Sequence, residues 1–342
     1  MSQPIHQEIP PAAQLMEMIF SPVPAQAISV AAKLGVADLL KDEAKSADEL
    51  AQTLGVKARP LYRLLRALAS VGVFTEDGSG RFHLTPLAEP LRSDASDSVR
   101  NFAIYFGAEW HRRVYSELGY SVKTGQPAFD LIHGKPFFEY LAENPVPAQI
   151  FNDAMTSHSA SDSAAVVNAY DFTGINKLVD VGGGHGALLA TILQQYPQIN
   201  GILFDAPHVV AGASDLITAH GISGRCEAVG GDFFASVPAG GDAYILRHII
   251  HDWDDERALT ILRNCHQAMA ENGRLLVVEI LIAEGNAPSL GKFLDLAMLV
   301  LVNSFERTAA EYSALFAQAG FKVTHIVPTA SAYSVIEAVR MK

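Results

Sequence analysis

Between Arg247 and Glu256 the chain reads Arg-His-Ile-Ile-His-Asp-Trp-Asp-Asp-Glu, which sets His248 and His251 three residues apart, ahead of a run of acidic side chains. An imidazole with an unperturbed pKa of about 6.5 can take up or release a proton near neutrality, and a carboxylate on its second nitrogen fixes the tautomer. The same spacing suits two ligands on one face of a metal-binding helix. The acidic run looks more like a helix start, where carboxylates meet the positive end of the dipole, so no metal site is expected. For His251 taken alone, a structural role and an acid-base role both stay open. Glu279 stands at the end of an apolar run, and Glu306 precedes Arg307, so an ion pair between those neighbours competes with a role for Glu306 in a site.

A second group of residues suits a ligand. Asp180-Val-Gly-Gly-Gly-His-Gly-Ala187 follows a short apolar run and opens a helical pattern. Glycines let the backbone turn tightly and approach a ligand, while the helix start offers free N–H groups. Gly182, Gly184 and Ala187 satisfy the dinucleotide pattern G-x-G-x-x-G/A, and Gly182, Gly184 and Gly186 satisfy the G-x-G-x-G of adenosylmethionine enzymes. Asp205, ending the next apolar run, is placed to grip ribose hydroxyls in either case. Gly231-Asp232-Phe233-Phe234 decides between them, because a carboxylate beside two rings suits an adenine amine and face. No basic residue is placed for a pyrophosphate, so a nucleoside is expected.

These residues need elements that hold them at one edge. Strands are expected at Lys177 to Val181, Gly201 to Phe204, Cys226 to Val229, Ala243 to Leu246, Arg274 to Ile280, Lys322 to Val327 and Ser334 to Val339, with helices between the early ones. That alternation predicts an α/β fold with a right-handed, mostly parallel sheet. The last two strands are joined only by Pro328 to Tyr333, too short for a parallel crossover, so one reversed strand is expected. This is the class I methyltransferase arrangement rather than that of a dinucleotide dehydrogenase.

Ahead of it, residues 1–12 read as a disordered tail and 13–95 as a helical dimerisation domain of winged-helix pattern. Ser46 and Glu49 form a capping box for a helix ending at Gly55, Ala58 to Val71 forms a second, and Val73 to Glu76 and Arg81 to Leu84 flank Asp77-Gly-Ser-Gly80 as a hairpin. Thr85-Pro86 is expected to start another helix. Residues 96–170 are an aromatic-rich helical layer suited to wall a substrate pocket, and 171–342 form the catalytic domain.

Two cysteines, Cys226 and Cys265, lack metal-ligand spacing and read as reduced core residues. The net charge of -12 and the equal count of eight Lys or Arg and eight Asp or Glu between Lys33 and Leu91 argue against a nucleic-acid partner. The longest unbroken apolar run, Leu296 to Val302, is far short of the ~20 residues that span a bilayer, so a cytoplasmic protein with no membrane partner is expected.

Taken together, Leu178-Val-Asp-Val-Gly-Gly-Gly-His-Gly186, Phe204-Asp-Ala-Pro-His208, Gly230-Gly-Asp-Phe233, His251-Asp-Trp-Asp-Asp-Glu256, Phe305-Glu-Arg-Thr308 and Phe151-Asn-Asp-Ala-Met-Thr-Ser-His-Ser159 resemble the plant-type small-molecule O-methyltransferases, which include caffeate and hydroxyindole enzymes and bacterial natural-product enzymes. The resemblance runs from about Leu15 to Val339. It implies that Gly182, Gly184, Asp205, Asp232, Phe233, Arg247 and Ser159 hold S-adenosylmethionine, with S-adenosylhomocysteine as product. It implies His251 as general base, steered by Glu279 and Glu306 with Asp252 beside it. Phe151, Met155, His158, Met298 and Asn303 would meet a small aromatic hydroxylated substrate, and the N-terminal domain would form a homodimer. Two features depart from the pattern: Asn303-Ser304-Phe305 replaces a usual glycine pair, and Arg247 a common lysine.

Methyl transfer from a sulfonium is an in-line displacement that an apolar, water-poor pocket favours. A phenol near pKa ~10 needs its proton removed, which a histidine near ~6.5 can do. The competing readings are an N- or C-methyltransferase, a non-methylating hydroxylase or decarboxylase of the same fold, a winged-helix regulator that senses adenosylmethionine and, weakest, a dehydrogenase.

Overall fold

The computed structural model describes residues 10–341, except that within the Pro145–Ala169 helix the side chains of Thr156 and of residues 158–161 lie outside the described set. The chain divides into two compact units, one of residues up to Arg113 with Asn144–His158, the other of Val114–Glu143 with the residues from Ser159 onward. The expected helical layer of residues 96–170 therefore contributes to both.

In the first unit, helices Pro11–Phe20 and Pro22–Leu34 precede a helix, helix, hairpin arrangement. Ser46 accepts from the Glu49 N–H and Glu49 from the Ser46 N–H, so the capping box starts helix Ala47–Leu54 as expected. Helix Ala58–Ser70 buries Leu61, Leu65 and Leu68. Strands β1 (Lys45–Ser46), β2 (Phe74–Glu76) and β3 (Arg81–Leu84) form an antiparallel sheet ordered β1-β3-β2. Leu50, Leu65, Leu68, Phe74 and Phe82 close the core beneath them.

Three expectations change here. Thr85 starts no α-helix: its hydroxyl donates to the carbonyls of Gly72 and Val73, and only a 3-10 turn forms at Glu89–Leu91. Pro90 explains this, since it lacks the N–H that would bond to the Pro86 carbonyl and continue an α-helix. The first helix begins at Pro11, inside the stretch expected as a tail, while residues 1–9 lie outside the described residues. Pro11–Leu34 is also long and apolar enough, by composition alone, to cross a membrane. Its second half instead buries Ser29, Ala31 and Ala32 in the unit's own core, whereas Leu15, Met16, Met18, Ile19 and Phe20 of its first half are exposed.

The second unit holds a seven-stranded sheet of β4 (Lys177–Val181), β5 (Asn200–Asp205), β6 (Cys226–Gly230), β7 (Ala243–Arg247), β8 (Arg274–Ile280), β9 (Phe321–Pro328) and β10 (Tyr333–Arg340), ordered β6-β5-β4-β7-β8-β10-β9. Pairs β4 with β5, β5 with β6, β4 with β7 and β7 with β8 are parallel, and β10 runs antiparallel to both β8 and β9. One reversed strand closes a parallel sheet, as expected. Alternate residues feed two apolar layers, one with Leu178, Ile192, Ile245 and Leu276, the other with Val179, Leu246, Ile261 and Val277. Burial on both faces explains why β4, β5, β7 and β8 read as mostly apolar runs, whereas β6 and β9 at the sheet edges are largely exposed. The chain leaves β4 toward β5 and β6, then returns to place β7 on its other side. Ligands of such sheets sit at that reversal, outside the carboxyl ends of the strands.

Candidate active site

Five strand ends converge at that edge. Beyond β4, Gly182 and Gly184 take left-handed φ values of 72° and 60°. A Cβ on Gly182 would lie 2.3 Å from Ile249 Cδ1, and one on Gly183 would lie 2.5 Å from Asp180 Oδ2, whereas one on Gly184 would meet nothing within 4 Å. The turn is thus closed against the protein and open on its outer side. The Gly184 N–H donates to Asp205 Oδ2 at 2.8 Å and the Ala206 N–H to Oδ1 at 2.6 Å. These bonds aim the carboxylate at the end of β5 and leave lone pairs for hydroxyl donors.

Beyond β6, Asp232 is exposed and accepts from the Phe234 N–H at 2.8 Å. Phe233 packs edge-on to Phe234 at 4.9 Å between ring centres, Phe234 meets Trp253 at 4.8 Å, and Asn264 donates to both phenylalanine carbonyls. Asp180, within the glycine motif but given no role by its type, is fully buried with Oδ2 unpaired; burial first, then the charge of Asp205, pushes it up to about 7 against the opposing Arg247. An orphaned carboxylate under an open glycine turn suits a ligand with a cationic group. Cradle, hydroxyl-ready Asp205 and Asp232 beside a ring together fit an adenosine-based cofactor with no pyrophosphate. Arg247 donates from Nη1 to Ser163 Oγ at 2.8 Å and lies in the field of Asp180 and Asp162.

Beyond β7 the chain breaks regular geometry. His248 has φ 56°, a strained value for a non-glycine residue, and His251 sits in a 3-10 turn, Ile250–Asp252. The two histidines therefore do not share a helical face. Their ring centres are 5.7 Å apart, and with Glu279 each offers a donor atom within 4.8 Å of the others. The acidic run beyond is a helix start as expected, with Asp254 capping Asp255–Ala268.

His251 is ringed by carboxylates. Nδ1 meets Glu306 Oε1 at 2.9 Å and stands 3.7 Å from Glu279 Oε2, while Nε2 is 3.4 Å from Asp252 Oδ1. Glu279, on β8 and fully buried, accepts with Oε1 from the N–H groups of Ile249, Ile250 and His251 at 3.0 to 3.3 Å. Burial opposes a charged imidazole, yet the charges of Glu279 and Asp252 and the hydrogen bond to Glu306 outweigh it and push His251 up to about 10. Burial raises Glu279 and Asp252, with His251 opposing. The surrounding carboxylates therefore favour the charged ring beyond the ordinary value near 6.5. Glu306 pairs with His251 and not with its neighbour Arg307, which turns to Asp255 and the carbonyls of Ile250 and Trp253.

The residues expected to meet substrate are divided. Phe151 and Met155 lie on helix Pro145–Ala169 within the first unit, where Phe151 packs against Tyr105 at 5.7 Å. Tyr105, Phe106 and Trp110 also surround His111, whose burial pushes it down to about 4 and keeps it neutral. Met298 and Asn303 belong to the second unit, on helix Leu290–Leu301 and the turn after it. The side chains of His158 and Ser159 lie outside the described residues. Sequence reasoning gave no site role to Asp180, Ser163 or Arg307; Asp180 and Arg307 stood within quoted motifs that could have flagged them, and Ser163 stood in none.

A parallel sheet with one reversed strand, a glycine turn and carboxylates at successive strand ends define a class I methyltransferase fold. Residues 115–322 match the O-methyltransferase domain family and residues 16–94 the O-methyltransferase dimerisation domain. The chain is 46% identical over 330 residues to the phenazine O-methyltransferase PhzM of Lysobacter antibioticus, covering 96% of each. It is 37% identical over 311 residues to the 8-amino-8-demethylriboflavin N,N-dimethyltransferase of Streptomyces davaonensis, covering 90% of this chain and 89% of the relative. The crystal structure of NcsB1, an O-methyltransferase from neocarzinostatin biosynthesis in complex with S-adenosylmethionine and 2-hydroxy-5-methyl naphthoic acid, superposes with a TM-score of 0.78 at 36% identity, over 93% of this chain and 96% of that one. The chain belongs to the O-methyltransferase family.

Proposed function

We propose that this enzyme transfers the methyl group of S-adenosylmethionine to a hydroxyl oxygen of a small aromatic metabolite, with His251 holding that oxygen in its anionic form. The observation that carries the reading is the 2.9 Å contact of His251 Nδ1 with Glu306 inside a ring of three carboxylates. When bound, the cofactor supplies an electrophilic methyl on a positively charged sulfur. Gly182, Gly184, Asp205, Asp232, Phe233 and Arg247, with Ser159, are the residues assigned to hold it. Phe151, Met155, His158, Met298 and Asn303 are assigned to the acceptor.

With Nδ1 engaged by Glu306 at 2.9 Å, Nε2, 3.4 Å from Asp252 Oδ1, is the nitrogen assigned to the acceptor. A phenol titrates near ~10, and the ring is pushed up to about 10, so a proton passes between them with little free-energy difference. A neutral ring takes the phenolic proton as general base; a charged ring holds the phenolate by a charge-assisted hydrogen bond. The dimerisation-domain match and the exposed apolar side chains of Pro11–Phe20 support a homodimer through the N-terminal domain. The similarity to an N,N-dimethyltransferase motivates a second reading, transfer to an aromatic amine. The ring of carboxylates favours oxygen, because a neutral amine attacks without first losing a proton and gains nothing from an imidazolium.

Labelled S-adenosylmethionine with hydroxynaphthoates, hydroxyphenazines and aminobenzoates separates the two readings by which product carries the label. On the phenol so found, His251→Gln should lower kcat by about 10²-fold while calorimetric S-adenosylhomocysteine affinity stays unchanged. Near wild-type kcat in that variant, or loss of wild-type activity in EDTA, would overturn the mechanism.

A further inference from the structure

We propose that Arg307 is a positioning residue that straps the His251 turn in place and so sets the contact between His251 and Glu306. The inference rests on the role given to His251 above. Arg307 heads the large, fully buried side chains of the described residues, with 1% of its surface exposed. A guanidinium is expensive to bury unless its donors are matched, and here they are. Nη1 donates to the Ile250 carbonyl at 3.1 Å, Nη2 to the Trp253 carbonyl at 3.0 Å and to Asp255 Oδ1 at 2.8 Å, and Nε to the same Oδ1 at 3.2 Å. One flat face rests on the Phe305 ring at 4.1 Å.

Those partners bracket the reacting histidine, since Ile250 precedes His251 and Trp253 follows two residues later. The same turn gives the N–H groups of Ile249, Ile250 and His251 to Glu279 Oε1. Its donors are thus held by an anion and its acceptors by a cation. Both holders share one junction. The Arg307 backbone bridges Leu281, just past β8, and its carbonyl accepts from the Ile282 N–H at 3.1 Å, two and three residues beyond Glu279. Glu306, next in the chain to Arg307, is thereby carried opposite Nδ1. A lysine keeps the charge but has one donor point in place of a planar fork, so it cannot hold two carbonyls and a carboxylate at once.

The test compares Arg307→Lys and Asp255→Asn in the full chain by three readings: NMR titration of the His251 ring, S-adenosylhomocysteine calorimetry, and kcat on the hydroxynaphthoate or hydroxyphenazine that the wild type methylates. Arg307→Lys should move the His251 titration down toward ~6.5 and lower kcat by about 10- to 100-fold, with ligand affinity held within about twofold. Asp255→Asn, which removes an exposed partner only, should move the same readings less far. A wild-type titration and kcat in Arg307→Lys would overturn the proposal, as would kcat and ligand affinity falling together. Should Arg307→Lys not fold, an unchanged titration in Asp255→Asn overturns it and a lowered one supports it. Normal kcat in His251→Gln would remove the proposed catalytic role alone, because the ring titration reports positioning without reference to turnover.

Discussion

At His251 two large effects oppose each other, burial of a cation and attraction by three carboxylates, and attraction wins. The outcome has a consequence for stability. A histidine that titrates near ~6.5 in the unfolded chain and at about 10 in the folded one adds stability that is complete below the lower value. That contribution is lost as pH rises through the higher value. Between pH 7 and 10 the wild-type Tm should therefore fall more steeply than that of His251→Gln, measured by calorimetry in the same buffers. Parallel curves would contradict the raised pKa. Gln is preferred to Ala here because truncation would leave buried Glu306 without its His251 donor. The types of His251, Glu279 and Glu306 were readable from the chain as acid-base candidates, but Glu306 and Arg307, adjacent in sequence, have separate partners in space.

Among the elements, the central strands β4, β5, β7 and β8 were the most readable, because each is buried on both faces and so reads as a short apolar run. Helix Leu290–Leu301 shows where motif reading stops short. Just past its end Asn303 has φ 54°, in the Asn303-Ser304-Phe305 stretch where the resembling family usually has a glycine pair. Asparagine is among the few side chains that tolerate this left-handed geometry, so the departure preserves the turn that a glycine would make. The turn leads directly to Glu306, whose N–H donates to Asp295 Oδ1 of the same helix at 2.9 Å. Asn303→Gly should shift stability by less than about 0.5 kcal/mol, whereas Asn303→Val should cost about 1–2 kcal/mol through a β-branched side chain in the left-handed region. Urea unfolding midpoints check both, and equal midpoints would refute the argument. The missing helix after Thr85 has a similar local cause: the Thr-Pro signal was present and the Glu89 N–H closes one turn onto the Thr85 carbonyl, but Pro90 has no N–H to extend it.

For the whole molecule, the distribution of exposed apolar surface matters most. Leu15, Met16, Met18, Ile19, Phe20 and Val23 are each more than half exposed, clustered on the first two helices. A patch of this kind marks a surface that is covered by something, and the match of residues 16–94 to a dimerisation domain supports the proposed second copy as the cover. Sedimentation should give a dimer at micromolar concentration, and Met18→Asp with Ile19→Asp should produce monomer. A wild-type monomer would contradict the proposed assembly.

The sequence alone carried the order of the motifs, the strand that each terminates, and hence the sheet and the edge where a nucleoside cofactor fits. These follow from local rules: apolar runs set strands, glycine sets turns, and a strand end sets an address. Tertiary structure alone decided the proton state and alignment of the candidate base. Glu279 and Glu306 lie 28 and 55 residues from His251 along the chain, yet their oxygens come within 3.7 Å of its ring. Coulomb attraction and loss of solvent depend on that spatial distance and not on sequence separation.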